Sequence, residues 1–288
     1  MNLGYWGYRI LSGVVGVLPA AMMRALGAGV GTLLWLIPSR RKQLARRHLQ
    51  RAVGVPPSRS QVRRMFASYG RYYAEVFWTR PRRLKSLLAN STIEGQEWLV
   101  AGKAAGKGVI VALPHLGNWE AAGLEAVRQG VPVTAVAEVL SDPRIVEWFT
   151  HRRAMFGIEI ALASKGVSSL IETRLRQGGT VALVADRDLK RKGVPVTFFG
   201  ERTTLPAGPF LLAMRTGAML LPAGTYFTEQ GHHNVVLPPL EIPPEGDNPA
   251  RLAAAAQLLA NRFEELIRKA PTDWHIFQPN WPSDFDQS

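Results

Sequence analysis

His115 and Glu120 are separated by four residues in the stretch GVIVALPHLGNWEAAG, residues 108–123. An imidazole at a strand end and a carboxylate one helical turn further on can face each other, and the carboxylate then fixes the tautomer and stabilises the imidazolium. Such a base takes the proton of a hydroxyl as it attacks an activated acyl group, an effect of about 10²–10⁴ in rate. A thioester asks for little more, because a thiolate with a conjugate-acid pKa of about 8.5 leaves without strong acid help. On spacing alone the same pair reads equally as a helix-capping contact. A second charged cluster, Asp186-Arg187-Asp188-Leu189, follows another apolar run. Charges at the end of a buried strand are costly unless paired or used. A structural Asp–Arg pair and a functional one that joins His115 are both open readings.

The elements that must position these groups are legible around them. Residues 109–113, VIVAL, form an apolar run behind a glycine and read as a strand buried on both faces. Pro114 stops it, Gly117 allows a tight corner, and Asn118 stands where an N-cap belongs, with Glu120 in the first helical turn. Residues 180–185 predict a second deeply buried strand. Strands at 131–136, 159–162 and 219–226 alternate with helices at 96–105, 142–156, 167–177 and 249–269. The expected fold class is therefore α/β, with a mostly parallel central sheet flanked by helices and chemistry at the strand ends. Residues 234–237 read as an antiparallel partner of 219–226, with His232 and His233 in a solvent-exposed turn.

The chain has 288 residues, no cysteine and a net charge of +13. Disulfides, thiolate metal sites and a cysteine nucleophile are excluded. H-E-x-x-H, Walker A and G-x-S-x-G motifs are absent, which argues against a zinc protease, an NTPase and a conventional serine hydrolase. The charge is uneven: residues 1–85 hold 16 Lys and Arg against one acid, Glu75, whereas residues 86–288 hold 19 against 21. The same N-terminal third contains two uncharged runs of 14 residues, 10–23 and 25–38, parted by Arg24. Each is shorter than the ~20 residues of a spanning helix. Buried core helices are one reading. The favoured one is a monotopic anchor on an anionic membrane surface, with Tyr5, Trp6, Tyr8 and Trp35 as the aromatic belt and Arg40, Arg41, Lys42, Arg46, Arg47 and Arg51 as its basic flank. The expected location is the cytoplasmic face of the cell membrane. GAGVG at 27–31 reads as close helix packing rather than a nucleotide loop, and no pattern points to nucleic acid.

Several of these stretches are similar to a known family. PHLGNWE resembles the His-x4-Asp/Glu motif of the lipid A secondary acyltransferase superfamily. SYGRYYAEVFW, residues 68–78, resembles the SYGRYW-x-EVF segment of the mycobacterial phosphatidylinositol mannoside acyltransferases. GVPVTFFGERTTLPAGP at 193–209 and PTDWHIFQPNW at 271–281 continue the likeness. The resemblance implies a glycerolipid-acyltransferase-like domain over 86–288 behind a helical membrane-associating region at 1–85. It implies acyl-CoA as co-substrate, no metal or other cofactor, and a glycolipid acceptor, most directly a mannose of a phosphatidylinositol mannoside. The alternatives are a lipid A or lysolipid acyltransferase fed by acyl carrier protein, and a non-catalytic lipid-binding protein. His115 and Glu120 carry over as the catalytic pair. Asp186 and Arg187 align with the family's E-R-D-L segment, Asp186 standing where the family has Glu, while Glu138 matches its VAER segment and Arg153 an Arg of its YRESLG segment. Together with Asn118 and Phe199 these are the expected substrate-binding residues.

Overall fold

The computed structural model describes residues 3–139, 142–164, 166–188, 190–244 and 246–285; the side chains of residues 3–5 are not described. Leu189 and the Tyr5 side chain therefore lie outside the described residues. The apolar N-terminal runs form α1 (Leu3–Val15) and α2 (Ala20–Leu36), broken at Pro19, the N-cap residue of α2. Arg24 parts the two uncharged runs, but the helices part at Pro19, which has no backbone N–H and sits where a helix can begin. Arg24 lies inside α2 and reaches Glu75. The chain then turns by 105° into α3 (Arg40–Val53), capped by the Ser39 side chain, which accepts from Lys42 N. Next comes α4 (Arg59–Trp78), which opens with a capping box between Ser58 and Gln61. Gly27 and Gly31 are the contact of α2 with α4: a Cβ at Gly31 would lie 2.0 Å from the Phe66 carbonyl oxygen. The glycine cluster is a helix-packing device, as expected.

After α5 (Leu84–Leu88) strands and helices alternate: β1 (Ser91–Glu94), α6 (Gln96–Ala104), β2 (Val109–Leu113), α7 (Trp119–Arg128), β3 (Val133–Ala137), α8 (Pro143–Ala154), β4 (Ile158–Leu162), α9 (Val167–Arg176) and β5 (Thr180–Val184). A hairpin of β6 (Val194–Phe198) and β7 (Glu201–Leu205) stands apart from the main sheet. It is followed by α10 (Gly208–Thr216), β8 (Met219–Phe227), β9 (His232–Val236) and α11 (Asn248–Lys269). The main sheet has seven strands in the order β1-β9-β8-β2-β5-β3-β4, and only the β8–β9 pairing is antiparallel.

The two faces of this sheet are packed differently. Ile110, Ala112, Val181 and Leu220 point into a tight core built with Leu175, Phe210, Leu259 and Phe263 from α9, α10 and α11. Val111, Leu113, Ala182 and Val184 point the other way, toward α7, and line a cavity. Strand alternation thus gives one solid face and one hollow one.

Candidate active site

The pairing of β2 with β5 decides which side chains meet. Leu113 is the register partner of Val184, and Ala185 N donates to the Leu113 carbonyl at 2.9 Å. Two residues on along both parallel strands, His115 and Asp186 are therefore neighbours. His115 Nδ1 donates to Asp186 Oδ1 at 2.6 Å, and the His115 backbone N–H donates to Oδ2 at 3.0 Å. With Nδ1 committed to the carboxylate, Nε2 carries the free lone pair of the neutral ring. The His115 side chain is 22% exposed and that of Asp186 is fully buried.

Asp186 is fitted with further donors. Trp274 Nε1 donates to Oδ2 at 2.8 Å, and Asn280 Nδ2 donates to the Asp186 carbonyl at 3.1 Å. Burial alone raises the pKa of this carboxyl. The His115 charge and the hydrogen bonds from His115 and Trp274 outweigh it, so the carboxyl is held below its ordinary value and stays ionised. The chain's C-terminal segment also holds the corner itself: His275 N donates to the His115 carbonyl at 2.7 Å and Gly117 N to the Asp273 carbonyl at 2.9 Å. Gly117 has φ 58°, and a Cβ there would lie 2.2 Å from the Thr225 carbonyl oxygen. Only glycine fits a left-handed position pressed against β8.

Glu120 is not the partner of His115. Its carboxylate is gripped by Arg153 through two parallel hydrogen bonds, Nε to Oε2 at 2.9 Å and Nη2 to Oε1. The fork geometry of a guanidinium satisfies both oxygens and draws the carboxylate toward α8. Arg187 donates to Glu138 at 3.0 Å. Glu120, expected in the catalytic pair, and Arg153, Glu138 and Arg187, expected to bind substrate, thus form two Arg–carboxylate pairs. Asn118 is the N-cap of α7 and is buried, with Oδ1 accepting from Ala121 N and Nδ2 donating to Glu75, so its amide ties α7 to α4. Phe199 occupies the β6–β7 turn at φ 51°, packed on Phe198 and Trp274. It belongs to the hairpin's contact with the core and does not line the cavity beside Glu120.

That cavity offers about 130 Å³ to the centre of a water-sized sphere, and about 1000 Å³ when all space between atoms and its opening are counted. It runs over the hollow face of the sheet beneath α7, floored by small residues such as Ala135, Ala182 and Ala223, with Glu120 and Arg153 among its few polar lining groups. Trp119 lines it too, and its ring meets the His115 ring edge-on at 5.2 Å between centroids. A largely apolar space therefore adjoins the His115 ring. Among the described residues no group of three or more His, Asp or Glu is arranged to hold a metal ion.

Residues 2–283 match the model of the bacterial lipid A biosynthesis acyltransferase family. The chain belongs to that family. Among its relatives, the phosphatidylinositol mannoside acyltransferase of Mycobacterium tuberculosis (strain CDC 1551 / Oshkosh) is 41% identical over 251 residues, 84% of this chain and 78% of the relative. The protein of the same name from Mycolicibacterium smegmatis is 36% identical over 291 residues, 98% and 92% of the two chains. The lipid A biosynthesis acyltransferase of Haemophilus influenzae is 26% identical over 251 residues, 84% and 76%. This lipid A family member is accordingly an acyltransferase.

Two features of this acyltransferase's site escaped the sequence reading. Trp274, within the 271–281 stretch, is not among the expected site residues, yet its indole N–H reaches the Asp186 carboxylate. Glu75, the lone acid among the first 85 residues, is completely buried. It accepts from Arg24 at 3.2 Å, Arg71 at 3.0 Å, Asn118 at 2.7 Å and His232 at 2.7 Å. Burial opposes its ionisation, but the His232 hydrogen bond and charge, Arg71 and Asn118 prevail and bring its pKa down to about 2. His232 is thus no exposed turn residue: it is on β9, fully buried, and joins α4 to the sheet. A single acid in a strongly basic segment was the available signal, because an isolated carboxylate among cations is the natural centre of a buried ion cluster.

Proposed function

We propose that the protein transfers a fatty acyl chain from a thioester, acyl-CoA, to a mannose hydroxyl of a phosphatidylinositol mannoside. The carrying observation is the His115 Nδ1–Asp186 Oδ1 hydrogen bond of 2.6 Å at the strand ends. His115 Nε2 takes the proton of the acceptor hydroxyl as its oxygen attacks the thioester carbonyl. The tetrahedral intermediate collapses, the C–S bond breaks, and the imidazolium returns its proton to the departing thiolate. Asp186 orients the ring and balances the imidazolium charge. The cavity beneath α7 takes the acyl chain, and the Glu120–Arg153 and Glu138–Arg187 pairs position donor and acceptor polar groups. Attack is direct, so no acyl-enzyme is needed.

The acceptor assignment comes from the mycobacterial relatives, named phosphatidylinositol mannoside acyltransferases. In this reading residues 1–85 associate with the membrane from its cytoplasmic face. Exposed apolar side chains on α1 and α2 support it: Ile10 is 64% exposed, Val14 59%, Leu33 63% and Leu36 59%. No single helix among the described residues is long and apolar enough to cross a membrane, and α2 and α3 meet that length and composition only as a pair bent by 105°; the proposed association is surface insertion.

The test offers radiolabelled palmitoyl-CoA and palmitoyl-acyl carrier protein to a panel of mannosylated phosphatidylinositols and lipid A precursors. Transfer from CoA to a mannosylated acceptor is expected. Transfer only from carrier protein to a lipid A precursor would replace both donor and acceptor assignments.

A further inference from the structure

Five of the six cations of the 40–51 block, expected together on a lipid surface, divide into two groups, and the sixth, Arg41, lines a neighbouring apolar groove. Arg40 and Arg47 donate to the carbonyls of Asp284 and Ser283, and Arg51 pairs with Glu201 at 2.9 Å and Asp284 at 3.0 Å. These fasten α3 to the chain's C-terminal segment. Lys42 and Arg46, one helical turn apart on α3, face elsewhere. With Arg59 at the start of α4 they line a cleft of about 990 Å³, open space included, beside Trp35. None of the three makes an ion pair among the described residues. Lys42 Nζ lies 4.5 Å from the centroid of the Trp35 ring, whose Nε1 is buried without a hydrogen-bond partner. The cleft also lies at the N-terminal end of α3, where helix polarity favours an anion.

The cleft shares a wall with a second, apolar space. Ser39 lines both the cleft and a groove of about 1920 Å³, open space included, between α1, α2 and α4. Leu26, Val30, Leu34, Ile37 and Phe66 line that groove. Three unpaired cations next to an apolar groove match an amphiphile with one anionic and one hydrocarbon part. The acyl cavity beneath α7 is separate: its lining shares no residue with either space. Along α4, Val62 of the cleft and Tyr72, which stacks on Trp119 at 4.2 Å, are about 15 Å apart at helical rise.

We infer that this paired cleft and groove hold a glycerophospholipid, with its phosphodiester against Lys42, Arg46 and Arg59 and one acyl chain between α1, α2 and α4. Continuity with the exposed apolar residues Leu33, Leu36 and Ile37 favours a membrane lipid over a soluble nucleotide phosphate. The inference rests on the membrane-surface reading above. It adds a discrete lipid site that is distinct from the reacting groups.

The test titrates the full-length protein with dioctanoyl phosphatidylglycerol, below its micellar concentration, and follows tryptophan emission. Glycerol 3-phosphate, octyl glucoside and CoA serve as partial ligands. Saturable binding is expected for the phospholipid alone, with a signal that Trp35→Phe removes. The triple variant Lys42→Ala/Arg46→Ala/Arg59→Ala should bind at least tenfold more weakly. A control of equal charge change, Lys107→Ala/Arg202→Ala/Lys269→Ala, should stay within about twofold. Equal loss in the control would reduce the effect to net charge and overturn the site. CoA saturating the same signal would overturn it in favour of a nucleotide phosphate, as would loss of palmitoyl-CoA binding in the triple variant.

Partition onto phosphatidylglycerol vesicles separates this inference from the reading beneath it. Wild type that binds the soluble lipid but not vesicles contradicts the membrane-surface reading and keeps the site. Vesicle binding that persists in wild type without saturable binding of the short-chain lipid contradicts the site and keeps the surface reading.

Discussion

Asp186 receives hydrogen bonds from the His115 ring, the His115 backbone and the Trp274 indole, so little of its acceptor capacity is left for a substrate. Such an arrangement suits a group that orients a base rather than one that binds a ligand. Glu120 is built for another task. Its side chain and that of Arg153 are 18% and 22% exposed at the edge of the cavity beneath α7, and each satisfies the other. Burial on its own disfavours the Arg153 charge, yet Glu120 raises the guanidinium pKa above its ordinary value, so the pair acts as one unit. Glu120→Gln and Arg153→Met should therefore be strongly non-additive. Each single change is expected to cost transfer activity, and the double variant little more than the worse single, with a coupling of about 1–3 kcal/mol in a double-mutant cycle of kcat/KM. Additive losses would separate their roles. At this scale the residue types were legible, and one open reading had Asp186 join His115; that Asp186 rather than Glu120 bonds the ring was not. The five-residue separation of His115 and Glu120 is local, whereas His115 and Asp186 are 71 positions apart and meet only through strand register.

Among the elements, the strand–corner–helix unit from β2 to α7 was readable because each part carries its own local signal: VIVAL, Pro114, Gly117 and the Asn118 cap. The β2–β5 register was not, since any parallel neighbour would satisfy the same apolar pattern. The antiparallel partner of β8 was expected, but β9 begins two residues earlier than the apolar run suggests, which carries His232 and His233 into the strand. The hollow face of the sheet has a clearer sequence trace in hindsight: Ala135, Ala182 and Ala223 are small residues on the same face of adjacent or nearby strands. A larger side chain there should shorten the chain that fits. Ala182→Phe is expected to lower kcat/KM for palmitoyl-CoA at least tenfold, while leaving a C10 or C12 thioester within about threefold. A competition assay with mixed acyl-CoAs checks this, and an unchanged length preference would place the acyl chain elsewhere.

The whole molecule is tied together by buried ions and neutral histidines that respond to pH in one direction. His275 is fully buried, and burial, followed by the charge of His115, pushes its pKa down to about 3. His48 is brought down to about 4, chiefly by burial, against the opposing pull of Asp284. Both rings stay neutral in the folded protein while the unfolded chain takes up protons below about pH 6.5. Stability is thus intact above that pH and is lost as pH falls toward about 4 for His48 and about 3 for His275. Glu75, with its pKa near 2, adds to the acid side in the same sense: the unfolded carboxylate binds its proton below about pH 4.3, before the native one does. Lowering the pH from 7 to 5 should cost roughly 4 kcal/mol, about 2 for each buried histidine. Thermal unfolding across that range should show a falling midpoint, and a flat profile would contradict the buried-neutral assignment. The basic N-terminal third and its apolar runs were plain in the sequence. That half of the basic block would turn inward to the C-terminal segment was not, because Asp284 and Ser283 are more than 230 positions away.

The most direct measurement is the steady-state transfer rate of Asp186→Asn, made on protein whose thermal midpoint confirms a folded chain. Orientation of His115 by Asp186 predicts a fall in kcat of about 10²–10⁴ with KM for donor and acceptor little changed. Turnover within about threefold of wild type would remove Asp186 from the mechanism and return the role of orienter to another carboxylate.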